Sequence, residues 1–174
     1  MTPEEASQLY TWLRDNISWQ QLPITLFGKT HMQPRLIHYE GEKSYTYSGV
    51  KLNAVSWNAP IQNIRKRVMQ LTGKHFNSAL INYYRDGSDY MGWHSDNEAS
   101  LGKKPIVPSV SLGAQRDMVF RRIDNPKTKF ELALSSGSLL VMKETTQELW
   151  QHCLPRRKRV QHGRINITFR QIKE

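Results

Sequence analysis

Arg164-Ile165-Asn166-Ile167-Thr168-Phe169-Arg170 alternates polar and apolar residues without a break. On a β-strand this period puts Arg164, Asn166, Thr168 and Arg170 on one face and Ile165, Ile167 and Phe169 on the other. The apolar face belongs in a core. The polar face is either plain solvent exposure or the lining of a polar cavity, where a guanidinium can hold a carboxylate by a two-point fork.

The stretches around this strand read the same way. Residues 76–84, 90–96, 107–112, 117–122, 129–134, 138–142, 149–154 and 164–171 are expected strands, punctuated by Gly, Pro and Asp turn signals such as Asp86-Gly87. Many short strands of this kind suggest a β-sandwich or jelly roll. Two helices precede them. Thr2-Pro3-Glu4-Glu5 carries a cap, a proline suited to the first turn and a capping-box glutamate, so 3–16 is expected to be helical. Ile61, Ile64, Val68 and Leu71 form the apolar stripe of a second helix over 60–71, followed by Gly73. Arg65, Lys66 and Arg67 are expected on its solvated face. The expected class is mainly β with flanking helices, an α+β chain, and one domain over 1–174.

The chain has 174 residues, 38% hydrophobic and 10% aromatic, enough for one packed core. No apolar run approaches the roughly 20 residues that span a bilayer, and Met-Thr-Pro-Glu-Glu has no secretory pattern. Neither membrane insertion nor secretion is expected. Cys153 is the single cysteine, which rules out an internal disulfide and suits a reducing, intracellular compartment, a bacterial cytoplasm or a eukaryotic nucleus. The net charge of +10 and pI of about 9.9 favour a polyanionic partner, nucleic acid ahead of an anionic membrane. Arg156-Arg157-Lys158-Arg159 is the densest basic cluster.

The chemistry concentrates in Asn82-Tyr83-Tyr84-Arg85-Asp86-Gly87-Ser88-Asp89-Tyr90-Met91-Gly92-Trp93-His94-Ser95-Asp96-Asn97-Glu98. His94 and Asp96, two apart on an extended chain, would point the same way. They supply two-thirds of a 2-His-1-carboxylate face, the set that binds Fe(II) and leaves positions open. The six histidines are 31, 38, 75, 94, 152 and 162; His152 and His162 are the candidates for the third ligand. A 2-oxo acid that chelates iron at one end and needs its far carboxylate held would use the arginine-bearing strand 164–170.

These features occur within a longer set of segments. In order they are Phe27-Gly28-Lys29, Pro34-Arg35, Tyr45-Thr46-Tyr47-Ser48-Gly49, Asn82 to Gly87, His94 to Glu98, Ser109-Val110-Ser111-Leu112-Gly113, Gly137-Ser138-Leu139-Leu140, Trp150-Gln151-His152-Cys153-Leu154-Pro155 and Arg164 to Arg170. Together they resemble the AlkB family of Fe(II)/2-oxoglutarate-dependent nucleic-acid dealkylating dioxygenases, and within it the double-strand-acting branch. The resemblance implies a double-stranded β-helix (jelly roll) with a nucleotide-recognition lid at about 24–58. It implies His94, Asp96 and His152 as metal ligands and catalytic centre, since the family's second histidine lies in a segment of the form Trp150 to Pro155. His162 then becomes a surface-loop residue and Cys153 a packed core thiol. Fe(II), 2-oxoglutarate and O2 are the implied cofactor and cosubstrates, with Asn82, Tyr84, Arg164, Thr168 and Arg170 at the oxo acid. Arg170 and the Tyr84 hydroxyl are assigned to its distal carboxylate; Asn82 and Arg164 contact the cosubstrate or its metal-proximal end.

The resemblance also implies the nucleic-acid contacts. Phe27, beside Gly28 and Lys29, is the aromatic finger that fills the gap left by a flipped base. Tyr47 stacks on that base opposite His94, Tyr45 lines the same pocket, and Arg35 contacts the lesion or its phosphate. Asn97 and Glu98 face the alkylated base, and Arg157, Lys158 and Arg159 grip the opposite strand. The implied activity is DNA repair by oxidative dealkylation of 1-methyladenine and 3-methylcytosine, releasing succinate, CO2 and formaldehyde. The substrate is alkylated DNA, double-stranded with base flipping or single-stranded, acted on by a monomer. An RNA demethylase of the same fold and a non-catalytic nucleic-acid-binding jelly roll are the alternatives. Trp93, next to His94, has no role in this scheme.

Overall fold

A computed structural model describes residues 1–26, 28–47 and 50–173, with side chains for all of these except Thr25, Leu26, Tyr45 and Tyr47. Helix α1 spans Pro3–Asn16, the range expected. Its capping box closes reciprocally: the Glu5 N–H donates to Thr2 Oγ1 at 3.1 Å, and the Thr2 N–H donates to Glu5 Oε2 at 2.9 Å. After it come β1 (Pro23–Leu26), β2 (Lys29–Met32), β3 (Leu36–Gly41), β4 (Tyr45–Tyr47), β5 (Val50–Leu52) and helix α2 (Ala59–Thr72). Gly73, at φ +64°, ends α2 in the left-handed conformation that favours glycine. The strands β6 (Ser78–Tyr84), β7 (Met91–His94), β8 (Val107–Gly113), β9 (Arg116–Arg122), β10 (Lys129–Leu134) and β11 (Leu139–Met142) follow. A one-turn helix α3 (Thr146–Leu149), β12 (Trp150–Leu154) and β13 (Arg164–Arg170) complete the order. Among the described residues, no helix is long and apolar enough to cross a membrane.

Nine of the described strands build two larger antiparallel sheets, and the other four form the hairpins β1–β2 and β4–β5. The major sheet runs β11-β8-β13-β6-β3 and the minor sheet β10-β9-β12-β7. β13 lies at the centre of the major sheet, paired with β6 and β8. Its apolar face, Ile165, Ile167 and Phe169, is fully buried against Leu13 of α1 and Ile61, Ile64 and Val68 of α2. Each such buried side chain is worth about 1.5–3 kcal/mol of transfer free energy. The polar face is buried as well: Arg164, Asn166, Thr168 and Arg170 are at most 6% exposed. The cavity-lining reading of that face therefore holds, and the solvent-exposed reading does not.

Several expectations change. Leu71, assigned to the buried stripe of α2, is 75% exposed. Arg65 leaves the solvated face: it donates to the Phe76 carbonyl and to Glu42, and its guanidinium lies 4.5 Å from the centre of the Trp57 ring. β3 was not read as a strand, yet it forms the fifth strand of the major sheet, so within 24–58 only the hairpins β1–β2 and β4–β5 stand outside the two large sheets. β7 stops at His94, and Asp96 lies in the loop beyond it.

Candidate active site

β7 and β12 pair in register with His94 opposite His152. Antiparallel neighbours opposite one another bring their side chains within contact distance, and the two imidazole centroids are 4.2 Å apart. Asp96 reaches them from the loop because other groups hold it there. Its N–H donates to Gln147 Oε1 of α3 at 2.8 Å, and Arg170 Nη2 donates to its Oδ1 at 2.9 Å. Its Oδ2 remains directed at His152 Nε2, 3.9 Å away. One ligand atom from each of His94, Asp96 and His152 lies within 4.8 Å of the others, the one such cluster of metal-ligating residues among the described residues. Atoms bound about 2.1 Å from one ion can be no more than about 4.2 Å apart, so a small inward movement would let a single ion touch all three.

The protonation states suit a metal. His94 Nδ1 lies 2.9 Å from the Gly92 carbonyl, which places the proton on Nδ1 and leaves Nε2 as the donor. Burial lowers the pKa of both histidines, and that of His152 is pushed down to about 3, with the nearby His94 adding to the effect. Both are neutral at pH 7. Burial alone would raise the Asp96 carboxyl, but the Arg170 guanidinium, His152 and His94 outweigh it and hold the group below the usual carboxylate range. Fe(II) fits this donor set of two neutral imidazoles and one carboxylate.

A chamber between the sheets continues from these ligands, lined by Asn82, Tyr84, Asn166, Thr168 and Arg170. Of the two arginines of β13, Arg170 lines the chamber beside the ligands and Arg164 lies next to Tyr84, one of its lining residues, the reverse of the expected order. Arg170 is at the metal end, bound to Asp96 and, through Nη1, to Thr168 Oγ1 at 2.6 Å. Arg164 lies six residues away along the strand, its Cζ 5.6 Å from the centre of the Tyr84 ring. It is 1% exposed, Nη2 donates to Ser111 Oγ at 2.8 Å, and Nε and Nη1 have no partner. Burial pushes its pKa down to about 10, which still leaves it cationic at neutral pH. A buried guanidinium with two idle donors and no anion is costly. The distal carboxylate of a dicarboxylic oxo acid would supply the missing partner, so the donor chemistry around the chamber suits 2-oxoglutarate.

His94 also forms part of the wall of a cleft of about 660 Å³ on the outer side, together with Arg35, Tyr90, Trp93 and Arg156. Arg35 is buried and donates through Nε to Asn82 Oδ1 at 2.8 Å, so it links the cleft to the inner chamber. Arg156, which sequence reasoning passed over, lies with its Cζ 4.4 Å from the centre of the Tyr90 ring. Arg157 was expected to face nucleic acid; it is paired instead with Asp117 and Glu131, each at 3.2 Å. Lys158 and Arg159 are exposed, as are Gly28, Lys29 and Asn97, and Glu98 is half-buried with an unpartnered Oε2. Trp93 supports Arg121, whose Cζ is 4.2 Å from its ring centre and which Gln151 Oε1 holds through two donors. His162 is exposed, and Cys153 is buried and outside the ligand cluster. Phe27 lies outside the described residues, and so do the Tyr45 and Tyr47 side chains.

The chain is 38% identical over 180 residues to the DNA oxidative demethylase ALKBH2 of Mus musculus, covering 97% of this chain and 75% of that protein. It is 42% identical over 158 residues to ALKBH2 of Bos taurus, covering 86% of this chain and 57% of the relative. The alpha-ketoglutarate-dependent dioxygenase alkB homolog 3 of Homo sapiens is 34% identical over 178 residues, with 97% and 62% covered. The solved structure of OsALKBH1 superposes with a TM-score of 0.68 at 17% identity, covering 98% of this chain and 92% of that one, a likeness of fold. The 2OG-Fe(II) oxygenase superfamily model matches residues 1–170. The chain belongs to the 2OG-Fe(II) oxygenase superfamily.

Proposed function

We propose that this oxygenase repairs alkylated DNA by oxidative removal of N-alkyl groups from bases, 1-methyladenine and 3-methylcytosine among them, with release of succinate, CO2 and formaldehyde. One observation carries the reading: His94 is a wall common to the buried oxo-acid chamber and to the open cleft. An alkyl group entering the cleft would meet the metal site from one side while the oxo acid occupies the other. The names of the relatives, DNA oxidative demethylases among them, support the substrate class.

Bound Fe(II), with 2-oxoglutarate and O2, supplies the oxidation of the N-alkyl carbon. The protein's part is placement. His94, Asp96 and His152 would hold the ion. Arg170 keeps Asp96 ionised and oriented, with Oδ1 occupied and Oδ2 free to ligate. Arg164 would fork onto the distal carboxylate, and Asn82, fixed by Arg35, would bind the oxo acid near its middle.

The substrate side is argued from chemistry. Tyr90 and Arg156 offer a flat aromatic surface and a cation at the mouth of the cleft, suited to a base and its phosphate. Base flipping with Phe27 as the inserted side chain, stacking on Tyr47, a lid formed by the two hairpins and action as a monomer on duplex DNA complete the reading. An inert binding module would have no use for a complete, buried His-Asp-His cluster. The test is mass-spectrometric: single- and double-stranded oligonucleotides carrying 1-methyladenine or 3-methylcytosine should lose 14 mass units (one CH2, ~14 Da), and the same lesions in RNA should be slower substrates. No mass loss on any of them with Fe(II) and 2-oxoglutarate present would overturn the reading.

A further inference from the structure

Four lysines meet in one concavity beyond the Ser78–Arg170 end of the major sheet. Lys74 precedes β6, Lys103 and Lys104 precede β8, and Lys173 follows β13. The concavity measures about 350 Å³; His75 also lines it, and Glu144 is its one carboxylate among the described residues. No ion pair or hydrogen bond among the described residues engages any of the four ammonium groups.

The groove is held in shape. Lys104, at φ +54°, is the one non-glycine residue in the left-handed region among the described residues, a conformation disfavoured for a side chain with a Cβ. The Lys173 N–H donates to the Ser100 carbonyl at 2.7 Å. Its side chain folds back over Gly102, where an added Cβ would lie 2.8 Å from Nζ, instead of extending into water. Four like charges gathered against one carboxylate repel one another and create a local positive potential. An anion with several oxygens would relieve both effects, and lysine is a common phosphate partner.

We propose that this groove is a phosphate-binding site, separate from the metal site and the cleft. Its ligand is either a run of backbone phosphates of the bound nucleic acid or a free polyphosphate. The groove sits beyond the Ser78–Arg170 end of the paired strands β6 and β13, whereas Tyr90 and Arg156 belong to loops leaving the Tyr84–Arg164 end. The seven residues of β6 separate those ends by about 20 Å, close to six base-pair steps of about 3.4 Å. A duplex that reaches the groove from the cleft must therefore be longer than one that fills the cleft alone.

The test compares the full-length chain with the Lys74→Gln/Lys103→Gln/Lys173→Gln variant and with Lys104→Gly, which removes a charge while relaxing the backbone. Calorimetric titration with inorganic tripolyphosphate should show binding by the wild type, at least tenfold weaker binding by the triple variant, and a smaller loss in Lys104→Gly. Fluorescence anisotropy on duplexes of about 10 and about 30 base pairs separates the sources. If the ligand is nucleic acid, the triple variant loses about tenfold affinity for the long duplex only, and the slope of log affinity against log salt falls by about 2–3. If it is a free polyphosphate, both duplexes bind unchanged while tripolyphosphate binding is lost. Equal tripolyphosphate and DNA binding by wild type and triple variant would overturn the proposal. Circular-dichroism melting checks that each variant is folded. Formaldehyde release reports separately on the oxygenase reading, whose failure leaves the phosphate result standing.

Discussion

Arg170 and Arg164 leave the same face of the same strand, six residues apart, into opposite electrostatic settings. Arg170 has its anion within the protein, Asp96 Oδ1 at 2.9 Å. Arg164 is equally buried and has no carboxylate, only Ser111 and the face of Tyr84. Arg170 is thus balanced before anything binds, whereas Arg164 would be balanced only by an arriving carboxylate. A cation kept waiting in a dry site loses little reorganisation energy on binding, which is the preorganisation that favours tight, selective recognition.

Removing the metal end should have the largest effect. His152→Ala takes away a ligand, and turnover measured as formaldehyde release should fall by more than about 100-fold, beyond the 10–100-fold typical of losing a supporting contact. Arg170→Met should then destabilise the ligand-free protein by about 3–5 kcal/mol in denaturant unfolding, because Asp96 is left buried and unpaired. Arg164→Met breaks the symmetry of that comparison. It removes an uncompensated charge, so the ligand-free protein should be as stable as wild type or more so. The same change should weaken 2-oxoglutarate by about 2–5 kcal/mol, a rise of roughly 30-fold or more in KM. If Arg164→Met and Arg170→Met both destabilise the ligand-free protein equally, the contrast between the two ends is wrong.

Smaller effects test the rim and the protonation states. Arg156→Ala, beside the cleft, should reduce DNA affinity about tenfold, on the scale of one stacked or phosphate contact. Arg157→Ala should cost less affinity, since Asp117 and Glu131 already occupy that side chain; anisotropy titrations of the two variants compare them directly. For pH, burial, with His94 nearby, pushes the His152 imidazole from its ordinary value of about 6.5 down to about 3. The unfolded chain therefore takes up a proton that the folded one refuses as pH falls below 6.5. This contribution to stability is present above pH 6.5 and is lost progressively down to about 3. The thermal midpoint of the metal-free protein should decline across that window, and His152→Asn should flatten the decline.

Much of this was legible in the residues. α1 was bounded correctly because Thr2 and Glu5 cap it locally, and α2 was placed within a residue at each end by its apolar spacing and Gly73. The alternation in β13 identified both of its faces. β3 was missed because its buried positions include Glu40, whose carboxylate is satisfied by Asn58 and approached by His38, so a core strand carries a polar pattern. Asp96 was expected on a strand beside His94; the loop is instead tied by Gln147 and Arg170, contacts 51 and 74 residues away. The same limit explains the reversed arginines and the choice of Arg156 over Arg157. In both pairs the deciding partners, Asp96, Asp117 and Glu131, are distant in sequence.

The central claim is that His94, Asp96 and His152 hold Fe(II) with 2-oxoglutarate seated between Arg170 and Arg164. Anaerobic titration of the protein with Fe(II) and 2-oxoglutarate, followed by absorption spectroscopy, tests it most directly. The account predicts a charge-transfer band in the visible region for the wild type and for His162→Ala, and none for His152→Ala. It also predicts that Arg164→Met will need far more 2-oxoglutarate to reach half of the full signal. A band that survives His152→Ala and disappears in His162→Ala would contradict the ligand assignment.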